Sequence, residues 1–261
     1  MTSELVERAA SMLVEARRTV VLTGAGISTP SGIPDFRSPR EGLWAQTEPE
    51  DVASLRAFMR DPGAFVAWLR PLLTRILQAE PNPAHRALAA LEQAGLVQAI
   101  ITQNIDGLHQ KGGSQRVLEL HGHLRQATCL NCGRKVSTVG LIEPLIDSGE
   151  IPRCRACGGL LKPDIVLFGE MLPEDVLTQA EEEVASCDLV WVVGSSLVVA
   201  PASFLPRYAL AHGAGLIITN REPTPLDPLA DLVLREDVAV LLPAIAAACH
   251  SLLSAGRRPH R

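Results

Sequence analysis

Aromatic residues and lysines are scarce in this chain. Its 261 residues include five Phe, three Trp and one Tyr, and only three of its 24 basic residues are lysines. Twenty-nine acidic residues bring the formal net charge to −5. Nucleic-acid binders rely on clustered positive charge and on aromatic platforms for bases, so no direct nucleic-acid binding is expected. Long apolar runs are also missing. None reaches the ~18–20 residues that cross a bilayer, and the longest, residues 238–249, is interrupted by Pro243. Residues 1–18 are charged and amphipathic rather than a cationic head followed by an apolar core, so no signal peptide is read there. The expectation is a cytoplasmic protein with reduced cysteines. An apolar content of 47% excludes disorder, and the length suits one large domain or one domain carrying a smaller insert.

What is present is a regular alternation of short apolar runs and amphipathic segments. Leu5, Ala9, Met12, Leu13 and Ala16 lie at helical spacing and predict a helix over residues 4–17. Strands are predicted at residues 19–23, 97–102, 117–120, 164–168, 189–193, 215–219 and 232–234. Helices are predicted at 50–60, 62–79, 83–95, 173–185 and 238–253, with residues 31–46 as loop. Strands alternating with helices imply an α/β fold with a parallel, doubly wound sheet. From 124 to 163 the texture changes to cysteine, basic and turn residues around one short helix near 139–146, which marks a candidate insert.

Three of the predicted strands end in small or polar residues. The first runs into Gly24-Ala25-Gly26-Ile27-Ser28, where small residues let the backbone approach phosphate oxygens at the start of a helix-like segment. Thr29 occupies the third glycine slot of a full dinucleotide fingerprint, so a ligand-free tight turn stays open as a reading. Another strand ends at Gly194-Ser195-Ser196 and a third at Asn220. Ligands of open parallel sheets sit beyond the carboxyl ends of strands, so the shared position of these residues is consistent with one nucleotide site.

The cysteines carry a stronger signal. Cys129-x2-Cys132 and Cys154-x2-Cys157 are separated by 21 residues, slightly beyond the roughly 15–20 of common zinc ribbons. Four thiolates close a tetrahedron around Zn²⁺ and leave no position for water or substrate, so this zinc is expected to be structural. Arg125, Arg134, Lys135, Arg153, Arg155 and Lys162 lie near enough in sequence to offset its negative charge. Cys187 and Cys249 sit in apolar surroundings and read as buried and inert.

Gln103, Asn104 and Asp106 follow the second strand directly. Asp106 reads equally well as a helix cap or as a functional group. His121, between a short strand and Gly122, can project as a general base. His123 and His109 compete for that role, whereas His85 and His212 read as ordinary helix or cap residues.

Taken together these segments resemble the sirtuin family of NAD-dependent protein deacylases, of the bacterial type. The resemblance spans about residues 12–240 and rests on a series of motifs in order. They are Gly24-Ala25-Gly26-Ile27-Ser28, Gly32-Ile33-Pro34-Asp35-Phe36-Arg37, Thr102-Gln103-Asn104-Ile105-Asp106, Leu120-His121-Gly122, the four cysteines, Phe168-Gly169-Glu170 and Gly194-Ser195-Ser196. It implies a Rossmann-like large domain with a smaller zinc-binding domain inserted, and substrate bound between the two. The implied division is a discontinuous NAD-binding domain of residues 1–38, 83–124 and 164–255. Residues 39–82 form the helical part of the small domain with the cofactor loop, residues 125–163 its zinc-binding part, and residues 256–261 a disordered tail.

The resemblance also implies roles. NAD is a co-substrate, held by Gly24, Ala25, Gly26, Ser28, Asp35, Phe36, Arg37, Gln103, Asn104, Ile105, Asp106, Gly194, Ser195, Ser196, Asn220 and Val238. Gln103, Asn104 and Asp106 surround the nicotinamide and its ribose, and Phe36 shields the reactive carbon. The acyl-lysine carbonyl oxygen displaces nicotinamide. His121, with Asn104 the catalytic residue, takes a proton from a ribose hydroxyl that attacks the resulting intermediate. The products are deacylated lysine, nicotinamide and O-acetyl-ADP-ribose. Peptide contacts fall on Val166, Phe168, Gly169, Glu170 and Val198, largely through backbone. Family members that prefer succinyl or malonyl groups carry a Tyr and, three residues on, an Arg, where this chain has Leu69 and Leu72. Acetyl or longer apolar groups are therefore expected, with Arg70 the one nearby cation that could alter this. Partners are acyl-lysine proteins or peptides, with no membrane, and a monomer is favoured. Transfer of ADP-ribose to protein is the alternative activity. A hydride-transferring dehydrogenase and a non-catalytic zinc-ribbon module are disfavoured by the broken glycine fingerprint, the His121-Gly122 context and the charge.

Overall fold

The computed structural model describes residues 2–35 and 49–256. In chain order the elements are α1 (Thr2–Glu15), β1 (Thr19–Thr23), α2 (Pro49–Val52), α3 (Leu55–Arg60), α4 (Pro62–Gln78), α5 (Pro83–Gln93), β2 (Ala99–Thr102), α6 (Leu108–Lys111), β3 (Val117–Glu119), β4 (Gly122–Cys129), β5 (Lys135–Ser137), α7 (Ile142–Ser148), β6 (Leu161–Ile165), α8 (Glu174–Ser186), β7 (Leu189–Val193), α9 (Leu205–Ala211), β8 (Gly215–Thr219), β9 (Leu232–Leu234) and α10 (Val238–Ser254). The chain divides into two units. The larger comprises Met1–Ser31, Glu80–Leu120 and Glu174–Arg261, the smaller Gly32–Ala79 and His121–Pro173.

The larger unit is built on a six-stranded parallel sheet in the order β3-β2-β1-β7-β8-β9. This is the strand order of the Rossmann fold, with its topological switch point between β1 and β7. Strands β1, β2, β7 and all but the first residue of β8 are buried throughout, as a sheet covered on both faces requires. One face is packed by α1, α5 and α10, where Leu13, Leu88, Leu242 and Ile245 meet Val21, Trp191 and Ile217. Helices α8 and α9 pair with each other, and α9 packs on β7 and β8. At the base, the buried Glu183 carboxylate binds Arg18 at 2.7 Å and Arg116. Thr23, Thr102, Val193 and Thr219 are register partners. Four strands therefore end at one level, and the residues that follow them share one edge.

The smaller unit combines a three-stranded antiparallel sheet, ordered β5-β4-β6, with α2, α3, α4 and α7. Residues expected to be irregular here form β4 and β5. In β4 a register shift between Gly122 and Ala127 removes the alternation that marks a half-buried strand, and β5 is only three residues long. The strand expected at 164–168 lies instead at Leu161–Ile165. It is an edge strand, the position in a sheet where a proline such as Pro163 is tolerated. The single helix expected at 50–60 is broken, because Ser54 is extended and caps α3 by accepting from the Ala57 amide at 3.0 Å. The short helix expected near 139–146 starts later, at Ile142. Among the described residues no helix is long and apolar enough to cross a membrane.

Candidate functional site

At the switch point two glycine turns interlock through their backbones. The Gly24 amide donates to Val193 O at 3.1 Å, Gly26 N to Gly194 O at 2.8 Å, and Gly194 N to Thr219 O at 2.8 Å. No side chain fits between them. A Cβ on Gly24 would stand 2.8 Å from Gly194 O, and one on Gly194, whose φ is +62°, would stand 2.4 Å from Ile27 N. The segment after Gly24 is not the helix expected there but two single turns of 3-10 helix, Ala25–Ile27 and Thr29–Ser31. The cradle is therefore one of close backbone approach, without a long helix dipole behind it.

Behind this cradle lies a network of side chains. Asn104 Nδ2 donates to Gly24 O and to Ser28 Oγ, both at 3.1 Å. Ser28 Oγ donates in turn to Asp106 Oδ2 at 2.7 Å, and Asp106 Oδ1 accepts from the Leu108 amide at 2.9 Å. Asp106 thus holds both the first amide of α6 and the Ser28 hydroxyl. Burial pushes its carboxyl pKa up, an effect opposed by the Leu108 and Ser28 hydrogen bonds and reinforced by Glu119. Gln103 Nε2 reaches across to Ser195 Oγ at 2.9 Å, joining the ends of β2 and β7. Ile105 is partly buried in the same segment.

The network continues to two histidines whose part in it sequence reading missed. His109 is 1% exposed, its Nε2 lies 2.9 Å from Thr23 Oγ1, and its ring meets that of His85 edge-on at 5.0 Å. So enclosed a ring does not compete with His121 as a general base. His85 does act as the expected cap residue, completing a box with Asn82 at the start of α5, and its Nε2 also lies 3.5 Å from Ser28 Oγ. Burial lowers the His85 pKa to about 4, and burial together with the neighbouring His85 lowers that of His109 well below normal. The Asn82-x-x-His85 cap spacing was a local signal for His85; nothing in periodicity pointed to the pair.

Farther along the edge, Ser195 is buried, Ser196 is half-buried, and Val198 is exposed. Asn220 N donates to Leu234 O at 3.1 Å, and its Nδ2 to Glu222 O at 2.8 Å. Arg235 ties the Asn220 and Glu222 carbonyls together, 2.8 Å from each. Val238 opens α10 behind its cap, Asp237, and is buried.

In the smaller unit His121 precedes Gly122, whose φ is +71° and whose Cβ would fall 2.1 Å from Asp164 O. Only glycine fits there, and the tight pairing of β4 with β6 fixes the backbone next to His121. His121 O accepts from Val166 N at 2.8 Å. Phe168 exchanges hydrogen bonds with Ala53 O (2.9 Å) and Leu55 N (3.1 Å), while Gly169, at φ +84°, has open space on its Cβ side. Asp35 ends the first described stretch; Phe36 and Arg37 lie outside the described residues.

The four sulfurs of Cys129, Cys132, Cys154 and Cys157 lie within 4.8 Å of one another. A regular tetrahedron with Zn–S of ~2.3 Å has S···S edges of ~3.8 Å. Two of the pairs, Cys129–Cys157 at 3.5 Å and Cys132–Cys154 at 3.8 Å, fit that size. Each knuckle closes with a backbone bond, Gly133 N to Cys129 O (2.9 Å) and Gly158 N to Cys154 O (2.8 Å). Lys162, expected among the compensating cations, turns elsewhere and binds Glu170. Cys187 and Cys249 are buried, and burial raises their pKa values to about 11 and about 12, which keeps both as thiols.

A Rossmann-like sheet with a backbone phosphate cradle at its switch point, carrying a tetrathiolate lobe, defines a dinucleotide-using protein with a structural zinc. Comparison with known proteins narrows this class. The family described as "Sir2 family" matches residues 24–201. A protein named NAD-dependent protein deacylase 2, from Archaeoglobus fulgidus, is 48% identical over 241 residues, covering 92% of this chain and 94% of that one. NAD-dependent protein deacetylase 2 of Caldanaerobacter subterraneus subsp. tengcongensis is 47% identical over 242 residues, with 92% and 94% coverage. A solved Sir2 variant with a deacetylated p53 peptide and 3'-o-acetyl ADP ribose superposes with a TM-score of 0.86 at 40% identity, covering 97% of this chain and 99% of that one. The chain belongs to the Sir2 family.

Proposed function

We propose that this chain is an NAD-dependent protein-lysine deacetylase that releases nicotinamide and forms O-acetyl-ADP-ribose. The observation that carries the reading is the joining of the glycine cradle, through Asn104 and Ser28, to Asp106 at the sheet's switch point. NAD supplies the labile nicotinamide–ribose bond and the acceptor for the acyl group. Gly24, Ala25, Gly26, Gly194, Ser195 and Ser196 hold its diphosphate, and Asn220 and Val238 its adenosine end. Both protons of the Asn104 amide are committed within the protein. Its free group toward ligand is therefore the oxygen, an acceptor suited to a ribose hydroxyl or to positive charge growing on the sugar. Gln103, Ile105 and Asp106 flank the nicotinamide, with Asp35, Phe36 and Arg37 as the covering loop. His121, its backbone fixed by Gly122 and Val166, accepts the proton of a ribose hydroxyl. The closed thiolate set gives zinc a scaffolding role only.

Acyl-lysine peptides are the substrate class, contacted through Val166, Phe168, Gly169, Glu170 and Val198. Leu69 and Leu72 are buried, and Arg70 is committed to Ile146 O at 2.9 Å, so among described residues 67–72 no cation is left for an acyl carboxylate. Acetyl and apolar acyl groups are favoured on this reading. The free cysteines suit a cytoplasmic enzyme, and a monomer is the form proposed. The test is turnover of an acetyl-lysine peptide with and without NAD, in wild type and in His121→Ala. Wild type should act only with NAD, and His121→Ala should lose about 10²–10⁴-fold while still binding NAD. Deacetylation without NAD, or full activity in the variant, contradicts the mechanism. Radiolabel passing from NAD to protein rather than to the acetyl group selects the ADP-ribosyltransferase alternative.

A further inference from the structure

Lys162 lies on β6 with its side chain 11% exposed, an unusual place for an ammonium. All three of its N–H donors are satisfied, by Pro163 O at 3.1 Å, Ile165 O at 2.8 Å and Glu170 Oε2 at 3.0 Å. The same Glu170 oxygen accepts from the Leu167 amide at 2.9 Å, and Glu170 N donates back to Leu167 O at 3.0 Å. Leu167–Glu170 is therefore a closed four-residue turn whose third residue, Gly169, has the positive φ that only a flexible residue adopts cheaply. The ammonium grips this turn from both ends, through the carbonyl before Val166 and the carboxylate after Gly169.

What the turn touches is the important part. Val166 N holds His121 O, and Phe168 spends both its backbone groups on the link between α2 and α3. Gly169 is exposed and makes no hydrogen bond among the described residues, so its N–H and C=O are what the turn presents outward. A buried ion pair adds little net stability compared with apolar side chains of similar volume. Its consequence here is geometric.

We propose that Lys162 is a positioning residue for acyl-peptide recognition, acting through the Glu170 carboxylate to hold the Val166–Glu170 turn at the height at which the Gly169 backbone pairs with the substrate peptide. The proposal rests on the deacetylase reading. Removing the ammonium frees Glu170 from its cation, loosens the Leu167 amide and lets the turn drift, while nothing in the larger unit changes.

Peptide KM, NAD KM, kcat, thermal midpoint and hydrogen exchange at the Leu167 amide should be measured for Lys162→Met, Lys162→Arg and the double variant Lys162→Met/Glu170→Leu. Lys162→Met should raise peptide KM about tenfold or more, with NAD KM within about twofold, and speed Leu167 exchange. Lys162→Arg should restore both. The double variant removes the stranded charge, so its thermal midpoint should return toward wild type while its peptide KM stays high. A double variant with wild-type peptide KM reduces the pair to charge balance and overturns the proposal. So does a Lys162→Met enzyme whose peptide KM is unchanged, or whose NAD and peptide constants worsen together. Wild-type protein that turns over no acyl peptide at all instead overturns the deacetylase reading beneath it.

Discussion

Gly194→Ala tests the interlocked turns directly. The residue sits at φ +62°, which costs an alanine about 1–2 kcal/mol. The new methyl would meet Ile27 N at 2.4 Å and the Gly26 carbonyl carbon at 2.6 Å, both backbone atoms that cannot rotate away. Relief requires the turns to separate, which breaks the Gly26 N–H bond to Gly194 O and leaves buried groups unpaired at about 1–3 kcal/mol. The sum is about 2–5 kcal/mol. At about 2–4 °C per kcal/mol for a domain of this size, the midpoint should fall by roughly 4–20 °C. Gly213→Ala is the matched control, because that glycine has φ +90° but nothing within 4 Å, so only the conformational cost applies. Thermal melts with and without NAD read both consequences. A ligand at a hundred times its Kd adds about 2.7 kcal/mol. Wild type and Gly213→Ala should show that gain and Gly194→Ala should not. Equal melting of the two variants, with equal gains from NAD, would refute the argument that close backbone approach builds the site.

Acid sensitivity should come from the buried histidines. His85 binds its proton less readily in the fold (about 4) than in the unfolded chain (6.5), so its contribution is whole above pH 6.5 and drains as pH falls toward 4. A difference of that size is worth about 3 kcal/mol. His109 works in the same direction and Asp106, raised by burial, in the opposite one. His85→Gln should therefore move the onset of acid unfolding to lower pH, and an unchanged onset would contradict this origin. Native mass spectrometry should find one zinc per chain, and stripping it should unfold the β4–β6 lobe while NAD still binds. A zinc-free protein with an unchanged melt would contradict the structural role. Acetyl peptide should be turned over at least about tenfold faster than succinyl peptide, and comparable rates would overturn the reading of Leu69 and Leu72.

Much of the large unit was legible because its strands are short, rich in β-branched residues and mostly buried. The runs 19–23, 189–193, 215–219 and 232–234 coincide with β1, β7, β8 and β9. The small sheet was hidden for physical reasons. In β4 the burial pattern is interrupted by the shift after Gly122, and in β6 a proline is tolerated only because the strand is an edge. The cysteine spacing, by contrast, needed no strand assignment to bring four sulfurs together. Strand-end residues were found because the carboxyl edge of a parallel sheet collects them. The His85–His109 contact and the Lys162–Glu170 clamp were not, since a buried polar partner leaves no period in a sequence.

On the proposed mechanism, acyl removal consumes NAD and moves the acyl group to ADP-ribose. An acetyl-lysine peptide should be incubated with NAD and deacetylated peptide, nicotinamide and O-acetyl-ADP-ribose quantified in the same reaction. All three should form in equal amounts. Free acetate without nicotinamide, or ADP-ribose attached to protein in place of O-acetyl-ADP-ribose, would contradict it.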